Sequence, residues 1–139
     1  SLAIRGEDAS EEATDAFAAI GLPNFFEGIT GNEINLAQLK GKPLIIHRRY
    51  NDLIMNACRQ QGFSPNIICQ NTETASSISW AEAGIGVAVA PYTAAIQYMN
   101  DRMVSKTIVQ PTLHTKSFLV WRKDTHLANI VQQFIHLFE

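Results

Sequence analysis

The sequence predicts an α/β domain with a parallel βαβαβ core. Three short apolar runs, Pro43–His47, Asn66–Cys69 and Gly86–Ala90, are separated by two stretches with helical spacing. The runs are continuous rather than alternating, the pattern of strands covered on both faces, as in a parallel sheet. Only two cysteines occur, Cys58 and Cys69, with no C-x-x-C, so neither a disulfide framework nor a zinc ribbon stands in for an apolar core.

The elements follow in order. Leu2–Arg5 reads as the end of a strand. Asp8–Ile20 (DASEEATDAFAAI) reads as a short helix, with acids in its first turns, where the helix dipole favours them, and Gly21-Leu22-Pro23 to stop it. Asn24–Gly41 contains Gly28, Gly31 and Gly41 among scattered Phe25, Phe26, Ile29 and Ile34, and reads as loop with at most a short turn at Leu36–Leu39. Pro43–His47 is the first strand, β-branched at Ile45 and Ile46. Asn51–Gln61 carries Leu53, Ile54, Ala57 and Cys58 at helical spacing, and Gly62 sits where a helix-terminating glycine belongs. After the second run, Glu73–Ala83 is again helical, with Ile78, Ala81 and Ile85 in register and Gly84 at its end. The third run leads into Pro91-Tyr92. Such crossovers are right-handed. Thr93–Tyr98 reads as a further short helix, and Met103–Val109 and Ser117–Trp121 as two more strands. His126–Phe138 closes the chain as an amphipathic helix, its stripe formed by Leu127, Ile130, Val131, Phe134, Ile135 and Phe138, with Asp124 or Thr125 as N-cap.

Composition narrows the function. The 139 residues suit one domain, or a little over half of a two-lobed one. Hydrophobic residues make up 46% and charged residues 17%, which is globular and not disordered composition. Eleven Lys and Arg against 13 Asp and Glu leave a net charge of −2, with no basic excess to neutralise nucleic-acid phosphates. No apolar run approaches the ~20 residues of a membrane helix. No signal peptide is visible at the start, and reduced cytosol is the simplest compartment.

Ligands of open parallel sheets bind beyond the carboxyl ends of the strands. Here those ends are His47-Arg48-Arg49-Tyr50, Gln70-Asn71-Thr72-Glu73 and Ala90-Pro91-Tyr92. The first two place helix N-terminal N–H groups beside polar side chains, a setting that suits a carboxylate or phosphate. Arg48 and Arg49 add planar forks for a carboxylate, and Thr72 and Thr74 add hydroxyls. The plainer alternative is that Asn71 or Thr72 only caps a helix and that the arginines are solvated. The convergence of three junctions on one edge favours a site.

Enzyme readings lack support. No G-x-S-x-G, G-x-G-x-x-G, Walker loop or H-E-x-x-H occurs, so no catalytic set, cofactor or metal is expected. Gly84-Ile85-Gly86 ends a helix and starts a strand, the reverse of a dinucleotide fingerprint. Cys58 and Cys69 read as packing residues. His47, His114, His126 and His136 have no ligand spacing, and Trp80 and Trp121 read as core.

Four segments together resemble one family. Leu36–Ile45 (LAQLKGKPLI) looks like an "L-x-x-L-x-G-x-P-L-I" lead into a lobe, and Ala57–Pro65 is similar to a helix ending in "G-F-x-P". Trp80–Pro91 looks like "V-A-A-G-x-G-V-A-x-x-P", and Phe118–Asp124 resembles a late strand ending in "W-R-K-D". In this order and spacing, over about three-quarters of the chain, they resemble the second half of the effector-binding domain of LysR-type transcriptional regulators. The resemblance implies a periplasmic-binding-protein-like (type II) fold of two α/β lobes with a small effector between them. It implies homodimers, often tetramers, in the full regulator. Carried over by position, the effector-facing residues are Arg48 or Arg49, Asn71, Thr72, Ala90 and Pro91, which agrees with the strand-end site. The effector is expected to be a small organic anion. The family's N-terminal winged helix-turn-helix is not in this stretch, so operator DNA would be bound only through that missing domain. Residues 1–42 are expected to be a remnant of the first lobe and a crossing segment, in which only Leu2–Gly6 resembles the family's first lobe. Residues 43–139 are expected to be the second lobe with its return strand and C-terminal helix. This leaves Phe17, Phe25 and Phe26 without an assigned partner surface. The alternative on the same two-lobed plan is a solute-binding protein of a transport system.

Overall fold

The computed structural model describes residues 10–120. The chain divides into two compact units, Ala16–His114 and the terminal segments Ser1–Asp15 with Thr115–Glu139. The expected strand at Leu2–Arg5, the closing helix His126–Phe138 and Trp121 lie outside the described residues.

Within the larger unit the expected core is present. Strands β3 (Pro43–His47), β4 (Asn66–Asn71) and β5 (Val87–Pro91) alternate with helices α1 (Asn51–Gln60) and α2 (Thr74–Glu82). β3 pairs in parallel with both β4 and β5, with His47 opposite Asn71 and Ile46 opposite Val89. The sheet order is β2-β6-β1-β5-β3-β4, where β1 is Ser10–Gly21, β2 Glu33–Asn35 and β6 Val104–Val109; β7 (His114–Val120) pairs with β1 off this path. A short helix α3 (Tyr92–Ile96) leaves β5.

Alternation along the strands fills two cores, one on each face of the sheet. Leu44, Ile46, Val87, Val89, Phe17 and Ala19 face one side, where Ile54, Ala57 and Cys58 of α1 cover them. Ile45, Ala88, Ala90, Ala18 and Ile20 face the other, under Ile78 and Ala81 of α2 and Ala95 of α3. Each fully buried aliphatic side chain contributes about 1.5–3 kcal/mol relative to exposure, so both faces must be covered for the sheet to be stable. This is why the strands read as continuous apolar runs.

Both long helices end in the same way. After α1, the Gly62 N–H donates to the Arg59 carbonyl and the Phe63 N–H to the Cys58 carbonyl. After α2, Gly84 donates to Ala81 and Ile85 to Trp80. This is the Schellman pattern, which needs a left-handed residue; Gly62 has φ +88° and Gly84 φ +84°. Buried Phe63 also anchors the first of these turns in the α1-side core.

Three expectations are corrected. Asp8–Ile20 is not a helix over its described residues; residues 10–21 form β1. β1 lies between β5 and β6 and runs antiparallel to both, with Phe17 opposite Pro91 and Ala18 opposite Thr107. Its alanines suit this position, because Ala18 lies beside Ala90, and Ile20 beside Ala88, under α2 and α3. The segment 24–41 is more ordered than a loop. It holds a 3-10 turn at Pro23–Phe26, strand β2 paired in parallel with β6, and a 3-10 turn at Leu36–Leu39 closed by a capping box between Asn35 and Gln38. Phe17 and Phe26 are buried in the α1-side core and Phe25 packs against it. Trp80, expected in the core, is 37% exposed on the outer side of α2. Lys106, buried on β6, donates from its ammonium to the Gly31 carbonyl and so ties the glycine-rich loop to the sheet.

Cys58 is fully buried, and burial pushes its thiol up to about 11. Almost no thiolate is present at pH 8, and the thiolate is the reactive form. Cys58 is therefore expected to resist a chromogenic disulfide reagent at pH 8 and to react at once in denaturant. Rapid reaction of both thiols in the folded protein, rather than of half-buried Cys69 alone, would contradict this placement.

Candidate functional site

The parallel register of β3, β4 and β5 brings their carboxyl ends to one edge of the sheet. The three predicted junctions therefore share a rim. β1, antiparallel to β5, contributes Phe17 next to Pro91 at the same edge.

The first junction is a tight turn. Extended backbone at His47 (φ −76°, ψ 137°) leads into a 3-10 turn, Arg48–Tyr50, which runs directly into α1. His47 Nδ1 accepts a hydrogen bond from the Arg49 backbone N–H at 3.0 Å. That acceptor role places the proton of the neutral ring on Nε2. Burial holds the His47 pKa below the ordinary 6.5; a backbone hydrogen bond with Thr72 opposes this, and the charges of Arg49 and Arg48 reinforce it. The fold therefore favours the neutral ring. That contribution to stability is present above the unfolded pKa of 6.5 and is lost as pH falls through the lower folded value.

Arg48 and Arg49 are both exposed. The Arg49 guanidinium carbon lies 5.6 Å from the centre of the Tyr50 ring, a cation–π distance. Tyr50 meets Phe17 edge to face at 5.0 Å and His47 at 5.7 Å. Phe17 belongs to the buried core, so this aromatic chain links the arginine turn to the interior.

At the second junction the cap differs from expectation. Neither Asn71 nor Thr72 is the N-cap of α2; Glu73 is, and no side chain caps the helix. Asn71 bonds instead to buried Ser77 of α2. Its Nδ2 donates to Ser77 Oγ at 2.9 Å, and Ser77 Oγ donates back to Oδ1 at 3.1 Å. The pair fixes the angle at which α2 leaves β4. Gln70 Nε2 donates to Asn51 Oδ1 at 2.8 Å and joins the end of β4 to the start of α1. Thr72 is exposed beside them.

The third junction is closed. Ala90 and Pro91 are buried, while Tyr92 is 38% exposed. Ala90 and Pro91 therefore form floor rather than rim. His47, Tyr50 and Phe17 are the residues that sequence reasoning did not single out for the site. The only local sign was a histidine at a strand end with a backbone donor two residues on.

Among the described residues, no cluster of His, Cys, Asp or Glu is placed to hold a metal ion, and no helix is long and apolar enough to cross a membrane.

Comparison with known proteins supplies the family. The family model for the LysR substrate binding domain matches residues 10–139. The chain is 26% identical over 113 residues to the HTH-type transcriptional regulator BsdA of Bacillus subtilis, covering 78% of this chain and 39% of that protein. It is 28% identical over 133 residues to the HTH-type transcriptional regulator AlsR of the same organism, covering 91% of this chain and 43% of that protein. It thus spans about two-fifths of the length of these curated relatives, which are transcriptional regulators and not transport proteins. Among solved structures it resembles the BenM effector-binding domain with its effector benzoate, with a TM-score of 0.59 at 12% identity, over 94% of this chain and 64% of that one. At that identity the likeness speaks for the fold, the type II periplasmic-binding-protein-like plan. With the parallel core, the shared rim and a family match over nearly the whole sequence in agreement, this chain belongs to the LysR substrate-binding-domain family.

Proposed function

We propose that the unit Ala16–His114 is an effector-binding lobe of a bacterial LysR-type regulator and that its ligand is a small organic anion. The observation that carries this reading is the rim itself, where the Arg48–Arg49 turn stands beside the start of α2, a helix that no side chain caps. Backbone N–H groups at such a terminus and a guanidinium fork are complementary to a carboxylate. Arg48, Arg49, Asn71 and Thr72 contact the effector, and Ala90 and Pro91 form the floor under it. The relative BenM, whose domain holds benzoate, offers a carboxylate precedent. Binding without turnover shifts an equilibrium between conformations, and an N-terminal winged helix-turn-helix in the cytoplasmic, homo-oligomeric full regulator reads that shift on operator DNA.

Calorimetry with benzoate, a panel of small mono- and dicarboxylates, and neutral isosteres such as benzamide tests the proposal. At least one carboxylate is expected to bind, and the doubly substituted variant Arg48→Ala with Arg49→Ala to weaken it about tenfold, the worth of one charge-assisted hydrogen bond. Thr72→Ala should lower affinity without lowering the unfolding midpoint. Binding confined to neutral, apolar compounds would overturn the anionic reading.

A further inference from the structure

We infer that Arg49, rather than its neighbour Arg48, is the anchor for the ligand's carboxylate, and that Tyr50 is the positioning residue that presents the Arg49 guanidinium. The anchor role rests on the proposed anion site; the hold of Tyr50 on Arg49 does not.

The arginines among the described residues differ in what their guanidinium groups touch. Arg59 donates to Asn56 Oδ1 at 2.9 Å, and Arg102 pairs with Glu82. Both already have an acceptor. Arg48 is exposed, and among the described residues no hydrogen bond, ion pair or ring contact engages its guanidinium. Arg49 is different from all three. Its guanidinium carbon stands 5.6 Å over the Tyr50 ring, yet among the described residues no oxygen accepts from its side-chain N–H groups. A ring face attracts the cation but supplies no oxygen acceptor. The planar N–H fork therefore remains for a carboxylate, which it can bind through two parallel hydrogen bonds.

The support beneath Arg49 is continuous into the core. Its backbone N–H donates to His47 Nδ1 at 3.0 Å. Tyr50 is half-buried against the α1-side core, and it meets buried Phe17 edge to face at 5.0 Å and His47 at 5.7 Å. Arg49 is thus held both at its backbone and at its guanidinium. Ordering a long, free side chain around a ligand costs rotamer entropy. Tyr50 has already ordered Arg49 before the ligand arrives, whereas Arg48 has nothing that does so.

Benzoate calorimetry on single variants, with side-chain NMR of Arg49, tests the assignment. Arg49→Ala alone is expected to bring most of the loss of the double variant, about tenfold. Arg48→Ala should cost about twofold, the worth of an exposed charge. Tyr50→Leu keeps apolar packing and removes the ring face, and should weaken benzoate about threefold, the worth of one exposed cation–π contact. Tyr50→Phe keeps the face and should restore affinity. A purely structural role for Tyr50 would weaken binding in any background; here Tyr50→Leu should have its effect in Arg48→Ala and none in Arg49→Ala. Without ligand, the Arg49 side-chain protons should be displaced upfield by the ring in the wild type and in Tyr50→Phe, and should return to free-arginine positions in Tyr50→Leu. The anchor assignment is overturned if Arg48→Ala costs as much as Arg49→Ala. The positioning role is overturned if Tyr50→Leu weakens binding equally in the Arg49→Ala background, or if it leaves the Arg49 protons where they were. If benzoate and the other carboxylates fail to bind the wild type, the anion reading falls and the anchor role with it, while the proton shifts still decide whether Tyr50 holds Arg49.

Discussion

Replacing Gly86 with alanine is expected to cost about 3 kcal/mol of folding stability, the upper part of the range for overpacking a well-packed site. The added Cβ would lie 2.6 Å from the Pro43 carbonyl oxygen and 3.2 Å from its carbonyl carbon. Both are backbone atoms at the start of β3, so no side chain can turn aside. Relief would require β3 and β5 to part where Leu44 pairs with Val87, at the centre of the sheet. Gly31→Ala is the control. It has open space around it but φ +80°, so it carries only the conformational cost of about 1 kcal/mol. Urea unfolding should show the two midpoints well separated with an unchanged slope. Equal midpoints would mean that the close approach at Gly86 is not a constraint.

Phe17→Ala is expected to have the other large effect, about 4 kcal/mol, as befits an aromatic ring removed from a closed core. Phe17 has no exposed surface and supports Tyr50 edge-on at 5.0 Å. The loss should therefore appear twice. Global stability falls, and in the protein that remains folded the Tyr50 ring loses its fixed environment, so its proton resonances move toward those of a free tyrosine. Phe17→Leu refills most of the volume and should recover stability, yet it leaves Tyr50 without its edge contact. A variant that destabilised the fold while leaving the Tyr50 resonances in place would separate core from rim and contradict that link.

The core was legible because its signals are local. β3, α1, β4, α2 and β5 were marked by unbroken apolar runs, helical spacing and two glycines at helix ends, each visible within a dozen residues. β1 was not. Its acids at Glu11, Glu12 and Asp15 and its alanines imitate a helix start, and helix propensity is a weak prior that tertiary pairing overrides. The uninterrupted Phe17-Ala18-Ala19-Ile20 was the counter-signal, of the same kind that identified the other strands. For the site, strand ends sufficed to nominate Arg48, Arg49, Asn71 and Thr72 for one edge. What the residues do to each other was not readable. Asn71 bonds to Ser77 six residues on, in α2, and His47 accepts the Arg49 backbone N–H of its own turn; such partnerships exist only once the chain is folded.

The central place of β1 also bears on biogenesis. This strand leaves the ribosome well before its neighbours on either side, β5 and β6, so that Phe17 must wait for Pro91 and Ala18 for Thr107. Closing such distant pairs is slow, and an unpaired apolar strand is exposed to aggregation meanwhile. The nascent chain is thus a natural client for a chaperone until residue 109 has emerged, and fusions or truncations ending before β6 should accumulate as insoluble protein.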